Sequence, residues 1–541
     1  MRPNNRAILR ILSIATISLV TAFHAVSQTT VPWTGSWAVA PQQGTIDSSF
    51  NNLSQQTLRQ TLHTSIGGSQ ARVQISNVFG QSSLAISDVH LAQSLLDSNG
   101  DPTSSTIPGT DHVVTFGGST TATVPASETL ASDAIAVNVT PAEDLMVSIY
   151  FPNGVDSSNS TYHQAGGQNG IFLASGDVSA NPNISTTSTF SSYFYLTNVD
   201  VQNSAAIGSV VTLGASITDG LNSSFNVNHR WTNDLATRLS AANLQVGVVN
   251  EGISGNDLLR DGAGQAAITR FARDVLSQPN VKWVIFSDDI INDLSNLPDD
   301  QEPTYDSLIA GVQQMMAQAH AANIKFYCST LTPNGGRPAD QWSATAETIR
   351  EQVNAFIRGA NSGCDGIVDQ DTATHDPTMP TQYRPSFNSG DSLHPNDPGH
   401  QAIANSVNLG LFTSNGIPPI VQPSSSCSTL LPGESLLPDH PLFSCDGRFQ
   451  LYLQSDGNMV LYFDNSEIWQ TGTVRSNPAE ATLLADGNFV LYDVNANVLW
   501  QSNTAGLLGQ ELVLQNDGNL VIYNPTTSPA TAVWATNTCC H

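Results

Sequence analysis

From residue 31 to about 200 the apolar positions recur with a period of two. Ala71-Arg72-Val73-Gln74-Ile75 and Leu145-Met146-Val147-Ser148-Ile149-Tyr150 alternate inward and outward as half-buried strands do. Clusters of Gly, Ser, Asn and Asp punctuate these runs, and the pattern predicts an all-β sandwich or jelly roll. From 205 to 415 the pattern changes. Continuous apolar runs at Ile207–Leu213, Leu244–Val249, Val281–Phe286, Ile324–Cys328 and Gly366–Val368 predict buried parallel strands. Helical periodicity lies between them, at Tyr305–Ala322 and Ala344–Ala360 for example. Such alternation predicts a doubly wound parallel sheet with functional loops at the strand C-termini.

Residues 416–430, with Pro418-Pro419, Pro423 and Ser424-Ser425-Ser426, read as a linker. A threefold repeat follows. Gln454, Asp456, Asn458, Val460 and Tyr462 recur as Leu484, Asp486, Asn488, Val490 and Tyr492, and again as Gln515, Asp517, Asn519, Val521 and Tyr523. Trp469, Trp500 and Trp534 follow the three segments. Three similar units that share one core predict a pseudo-threefold β-prism. The expected organisation is therefore a leader at 1–27, a β-sandwich at 28–204, an α/β domain at 205–415, the linker, and the prism at 431–541.

The leader is read from Arg2, Arg6 and Arg10, the apolar run from Ile11 to about Ala25, and the small-x-small site Ala25-Val26-Ser27. Export to the periplasm or cell exterior is the expectation, with no membrane anchor in the mature chain. Export permits disulfides among Cys328, Cys364, Cys427, Cys445, Cys539 and Cys540. Cys427 with Cys445 is the favoured pair, Cys328 with Cys364 a second candidate, and Cys539-Cys540 are left unassigned. A formal charge of −27 disfavours nucleic acid and anionic membranes as partners and suits a neutral substrate.

Candidate chemistry follows the strands. Gly214-Ala215-Ser216 places a hydroxyl at the edge of the sheet, with its N–H near a helix start. Gly252 permits close backbone approach to a reacting oxygen, and Asn292 offers a side-chain amide. Asp391-Ser-Leu-His394-Pro395 supplies a base and a carboxylate three residues away to fix its tautomer. Together these are a nucleophile, oxyanion donors, a base and its orienting acid. Asp288, Asp289, Asn292 and Asp293 also form a set of oxygen donors. They are read as loop acids around the amide, with no metal and no other cofactor expected.

This order of blocks resembles the SGNH (GDSL-like) hydrolases over about 205–415. The resemblance implies a flavodoxin-like α/β fold, Ser216 as nucleophile, His394 as base, and Asp391 as its partner. The oxyanion donors would be the Ser216 and Gly252 amides and Asn292. Trp33–Pro41 and Gln56–Gln60 are similar to the front domain of secreted members found near xylan-degrading genes. Two departures stand out: Ala215 where the family has Asp in Gly-Asp-Ser, and Ile290 where it has Gly before Asn-Asp.

The repeats resemble bulb-type mannose-binding lectins. That likeness implies sugar contacts from Gln454, Asp456, Asn458, Val460 and Tyr462, from Asp486, Asn488 and Tyr492, and from Gln515, Asp517, Asn519, Val521 and Tyr523. The second segment has Leu484 in place of Gln. The function expected is hydrolysis of short, acetyl-type esters on an acylated carbohydrate or a small ester, with mannose-type glycans held by the prism. The alternatives are a weakly active or inactive glycan-binding protein with a decayed hydrolase core, and a GDSL-type lipase or arylesterase.

Overall fold

The computed structural model describes residues 31–540 except 45, 47–51, 165–169, 298–300, 360, 377, 414–427, 439–440, 447, 464–465, 475–477, 495–496, 508 and 528. The expected leader at 1–27 and Cys427 lie outside the described residues. Among the described residues no helix is long and apolar enough to cross a membrane.

The period-two segments become antiparallel strands. One sheet pairs Trp33–Ala38, Leu196–Gln202, Gln70–Ser76 and Thr129–Ala131 in that order. A second, larger sheet includes Ile171–Ser175, Gln56–His63, Asp144–Phe151 and Leu84–Leu96 as successive neighbours. Val73, Ile75 and Val199 from the first sheet meet Leu58, Leu62 and Val147 from the second in one apolar core. Polar side chains take the alternate positions, as the pleat demands.

The next region is a five-stranded parallel sheet. Its spatial order is Val246–Gly252, Gly208–Gly214, Val281–Phe286, Lys325–Ser329 and Gly366–Val368. In chain order that is 2-1-3-4-5, the flavodoxin-like arrangement. The interior Gly208–Gly214 strand is buried throughout, which is why its sequence is apolar without alternation. Gly214 lies opposite Gly252, and Leu213 opposite Phe286. The first three strands therefore end level, and their loops emerge side by side. Trp231, Phe271, Phe326 and Val211 share the surrounding core. Helices Tyr305–Ala321 and Ala344–Arg358 start at Thr304 and Ser343, whose side-chain oxygens accept from Ser307 N–H and Ala346 N–H.

The repeat region forms three four-stranded sheets, one centred on each segment. The repeat strands are Met459–Phe463, Phe489–Asp493 and Leu520–Asn524. Leu461, Leu491 and Ile522 sit opposite Trp469, Trp500 and Trp534 in register. The three indoles meet pairwise at ring-centroid distances of 5.6, 5.9 and 6.1 Å. The strand Thr429–Leu430 pairs with Glu511–Leu514 of the third repeat, so the start of the region closes on its end.

Cys328 and Cys364 form a disulfide that ties the fourth strand to the approach of the fifth. Cys445 is disulfide-bonded, and its expected partner Cys427 lies outside the described residues. Cys539 and Cys540 are exposed free thiols 3.0 Å apart.

Candidate active site

Four loops carry the candidate groups. Ser216 opens the short helix Ser216–Asp219 directly after the Gly208–Gly214 strand. Its Oγ lies 2.8 Å from His394 Nε2. His394 Nδ1 lies 2.6 Å from Asp391 Oδ2. The other Asp391 oxygen accepts the N–H groups of Leu393 at 2.9 Å and His394 at 2.8 Å. Ser392, at φ 60°, turns the chain so that carboxylate and imidazole face each other three residues apart. Partial burial works against the charge of Asp391, but hydrogen bonds from the His394 ring and from two backbone amides hold its carboxyl well below the usual carboxylate range. Asn222 adds a fourth donor, 3.1 Å from Asp391 Oδ2.

The candidate oxyanion donors differ from the expectation at one position. Ser216 N–H makes no hydrogen bond among the described residues. Gly252 N–H is taken by Asn250 Oδ1 at 2.9 Å. Gly252 instead serves packing, because a Cβ there would collide with the backbone of Asp219. On this loop the N–H groups of Ser254 and of Gly255, the latter at φ 79°, make no hydrogen bond among the described residues. Asn292 Nδ2 donates one proton to Asn256 O at 2.8 Å, which leaves the amide's second N–H available.

A buried ionic network underlies the loops after the first three strands. Arg270, fully buried, donates to Glu251 O at 2.6 Å and to Gly214 O at 3.0 Å. These carbonyls immediately precede Gly252 and Ala215. Asp274 and Asp289 stand 3.2 and 3.6 Å from the same guanidinium. Asp289 Oδ1 in turn accepts from Asn256 Nδ2 at 2.8 Å, and Asn256 O receives Asn292. Burial pushes the Asp289 carboxyl up to about 6 against the pull of Arg270. Sequence reasoning passed over Arg270, because nothing local marks an Arg four residues before an Asp as buried.

The four candidate oxygen ligands are spent separately. Asp288 bonds the nucleophile turn, Asp289 bonds Asn256, and Asp293 accepts Leu258 N–H at 2.5 Å and Leu259 N–H at 3.2 Å. Ile290 is fully buried in the apolar core, so it does not line an open acyl pocket. The front sheets also reach the site. His163 Nε2 is 3.2 Å from Asp219 Oδ1, and Ser254 Oγ donates to Asp219 Oδ2 at 2.5 Å. His400 lies on the final helix Asp397–Ser406, buried, with its ring held down to about 4 by desolvation.

In the repeats, Gln454 Nε2 donates to the Tyr462 hydroxyl and Gln515 Nε2 to the Tyr523 hydroxyl, each at 2.8 Å. Asp456 and Asp517 are exposed beside these pairs, and each accepts the N–H of the residue two further on. The Asn side chains are occupied structurally. Asn458 Oδ1 accepts Gly472 N–H at 2.9 Å and Thr473 N–H at 3.2 Å, and Asn488 and Asn519 close their hairpins in the same way. Val460 and Val521 are 1% and 2% exposed, so they offer a sugar ring little surface. The second segment differs again. Leu484, Ala485 and Asp486 line a cavity together with Arg238, Asp369 and Leu409 of the α/β region. Tyr492 there has no Gln partner.

The GDSL-like Lipase/Acylhydrolase family model matches residues 210–407, so the chain carries a GDSL-type hydrolase domain. A GDSL-like lipase structure from Bacteroides thetaiotaomicron is similar at 18% identity and a TM-score of 0.29, covering 38% of this chain and 87% of that one. A mannose-specific lectin from Dendrobium findlayanum is 43% identical over 70 residues, 13% of this chain and 41% of the lectin. The chain thus spans about two fifths of that curated relative. The mannose-specific agglutinin from snowdrop (Galanthus nivalis) bulbs, complexed with methyl-α-D-mannoside, is 35% identical with a TM-score of 0.17, covering 21% of this chain and 99% of that one. A lectin-like part accompanies the hydrolase domain.

Proposed function

We propose that the chain is a secreted serine ester hydrolase that removes short acyl groups from polysaccharide and is held on mannose-type glycans by its C-terminal repeats. The observation that carries the reading is the closed relay Ser216–His394–Asp391, at 2.8 and 2.6 Å, beside unengaged oxyanion donors. Ser216 Oγ attacks the ester carbonyl while His394 Nε2 takes its proton. The carbonyl oxygen, now negative, receives the N–H groups of Ser216 and Gly255 and the free amide proton of Asn292. His394 then returns the proton to the departing alcohol, and water repeats the sequence on the acyl-enzyme. Asp391 holds the imidazole by Nδ1 and supports its positive charge.

The likeness to mannose-specific lectins, together with the paired Gln454–Tyr462 and Gln515–Tyr523 and their exposed aspartates, supports two sugar sites, at the first and third repeats. The second repeat turns toward the α/β region and is assigned to packing. The Cys328–Cys364 disulfide supports export. The alternative of a decayed hydrolase core rests on Ala215 and Ile290, but the relay is intact around both.

The test is active-site labelling with a fluorophosphonate, and turnover of p-nitrophenyl acetate against an octanoate ester and acetylated xylan. Labelling of wild type, its loss in a folded Ser216→Ala variant, and preference for acetyl esters are expected. An unlabelled wild type defeats the hydrolase reading, and a preference for octanoate moves it to a lipase.

A further inference from the structure

The helix that carries Ser216 lacks an ordinary cap. Its N-cap residue is Ala215, whose methyl group accepts no hydrogen bond. A helix start leaves backbone N–H groups without intrahelical acceptors, and a buried one left unpaired destabilises its turn. Here the acceptor arrives from another loop. Asp288 follows the third strand and is 2% exposed. One of its oxygens accepts Ala215 N–H at 3.0 Å and the Thr218 hydroxyl at 2.6 Å. The other accepts Ile217 N–H at 2.8 Å.

The carboxylate therefore takes the amide on each side of Ser216 and leaves the Ser216 amide unused. Gly214 makes room for it, because a Cβ at that position would collide with both Thr218 and the Asp288 carboxylate. We infer that Asp288 is a positioning residue that caps the nucleophile helix from across the sheet, holding Ser216 Oγ toward His394 and its N–H toward the oxyanion. The inference rests on Ser216 being the nucleophile. It accounts for the tolerance of Ala215: the carboxylate that a Gly-Asp-Ser turn would carry on the turn itself stands here on the neighbouring loop.

Three variants of the full chain test this. In Asp288→Asn the amide nitrogen must face either Ile217 N–H or the Ala215–Thr218 pair, so one side of the bracket becomes donor against donor. A displacement of the nucleophile of about 1 Å costs roughly 100-fold in rate. We expect the fluorophosphonate labelling rate and kcat on p-nitrophenyl acetate to fall by about that factor, with KM within about twofold, as positioning predicts. In Ala215→Asp/Asp288→Ala the carboxylate moves to the N-cap itself, where an aspartate accepts the N–H two or three residues on. That variant should label at least about tenfold faster than Asp288→Ala alone. Circular dichroism and glycan binding by the repeats report that each variant is folded. A folded Asp288→Asn chain that labels at the wild-type rate overturns the inference. So does a folded double variant no faster than Asp288→Ala. If wild type itself does not label, the parent reading fails and this inference falls with it.

Discussion

Replacing Asp391 by Asn separates the roles of its two oxygens. Oδ1 accepts two backbone N–H groups, from Leu393 and His394, while Oδ2 faces His394 Nδ1 at 2.6 Å. An asparagine has one acceptor oxygen. Three donors, the two backbone N–H groups and Ser389 Oγ, meet Oδ1 against the ring and Asn222 at Oδ2, so that oxygen stays with them and the NH2 group turns to Nδ1. The ring must then present Nδ1 as an acceptor and carry its proton on Nε2, pointing at Ser216. In that tautomer His394 cannot take the serine proton. The same change behind a buried triad costs about 10⁴ in kcat. Asp391 is 44% exposed at its side chain, so water can support part of the imidazolium charge. We therefore expect a loss of about 10³, or about 4 kcal/mol of barrier, with the fold and KM little changed. Stopped-flow turnover of p-nitrophenyl acetate, with Ser216→Ala as the blank, measures it. Retention of kcat within about tenfold of wild type would refute the tautomer argument.

Changing Asp456 and Asp517 together to Ala should abolish binding to multivalent mannose glycans and leave small-ester turnover unchanged. Retention on a mannan column at the wild-type level would make the repeats scaffold only. Burial raises Asp200 and Asp289 to about 6 and Asp293 to about 7. Such groups stabilise the fold fully below the ordinary carboxylate pKa of about 4 and lose that contribution as pH rises through 6 to 7. Asp391 and Asp371 are held low, and their contribution disappears only at the acid end. The Tm should therefore be highest near pH 5 and fall by pH 8, and a scan showing the reverse counts against these burials. Removing the Cys328–Cys364 bridge, which closes a separation of 36 residues, should cost about 2–4 kcal/mol in urea unfolding. An unchanged urea midpoint would show that the bridge constrains nothing.

Much of this was legible along the chain because it depends on local periodicity and on residue type. The apolar run ending at Gly214, the strand at Val281–Phe286 and the three Asp-Gly-Asn hairpins lie where their patterns place them, since a strand's face and a turn's dihedral angles are properties of a few adjacent residues. Asp391 and His394 could be paired because three residues on one loop suffice to join them. The remainder was decided by groups that meet only across the sheet. Gly252 and Gly255 sit on one short loop and carry the same side chain. Which N–H stays free depends on Asn250, whose side-chain orientation is set by Thr218 and Thr232. Asp288 caps a helix that begins 72 residues before it in sequence, and no local rule links them. Arg270 looks like a surface charge until the fold buries it under Gly214 and Glu251, where only a cation can satisfy two carbonyls and two carboxylates together. Buried polar partners are chosen by desolvation in the assembled core, and that is set in three dimensions.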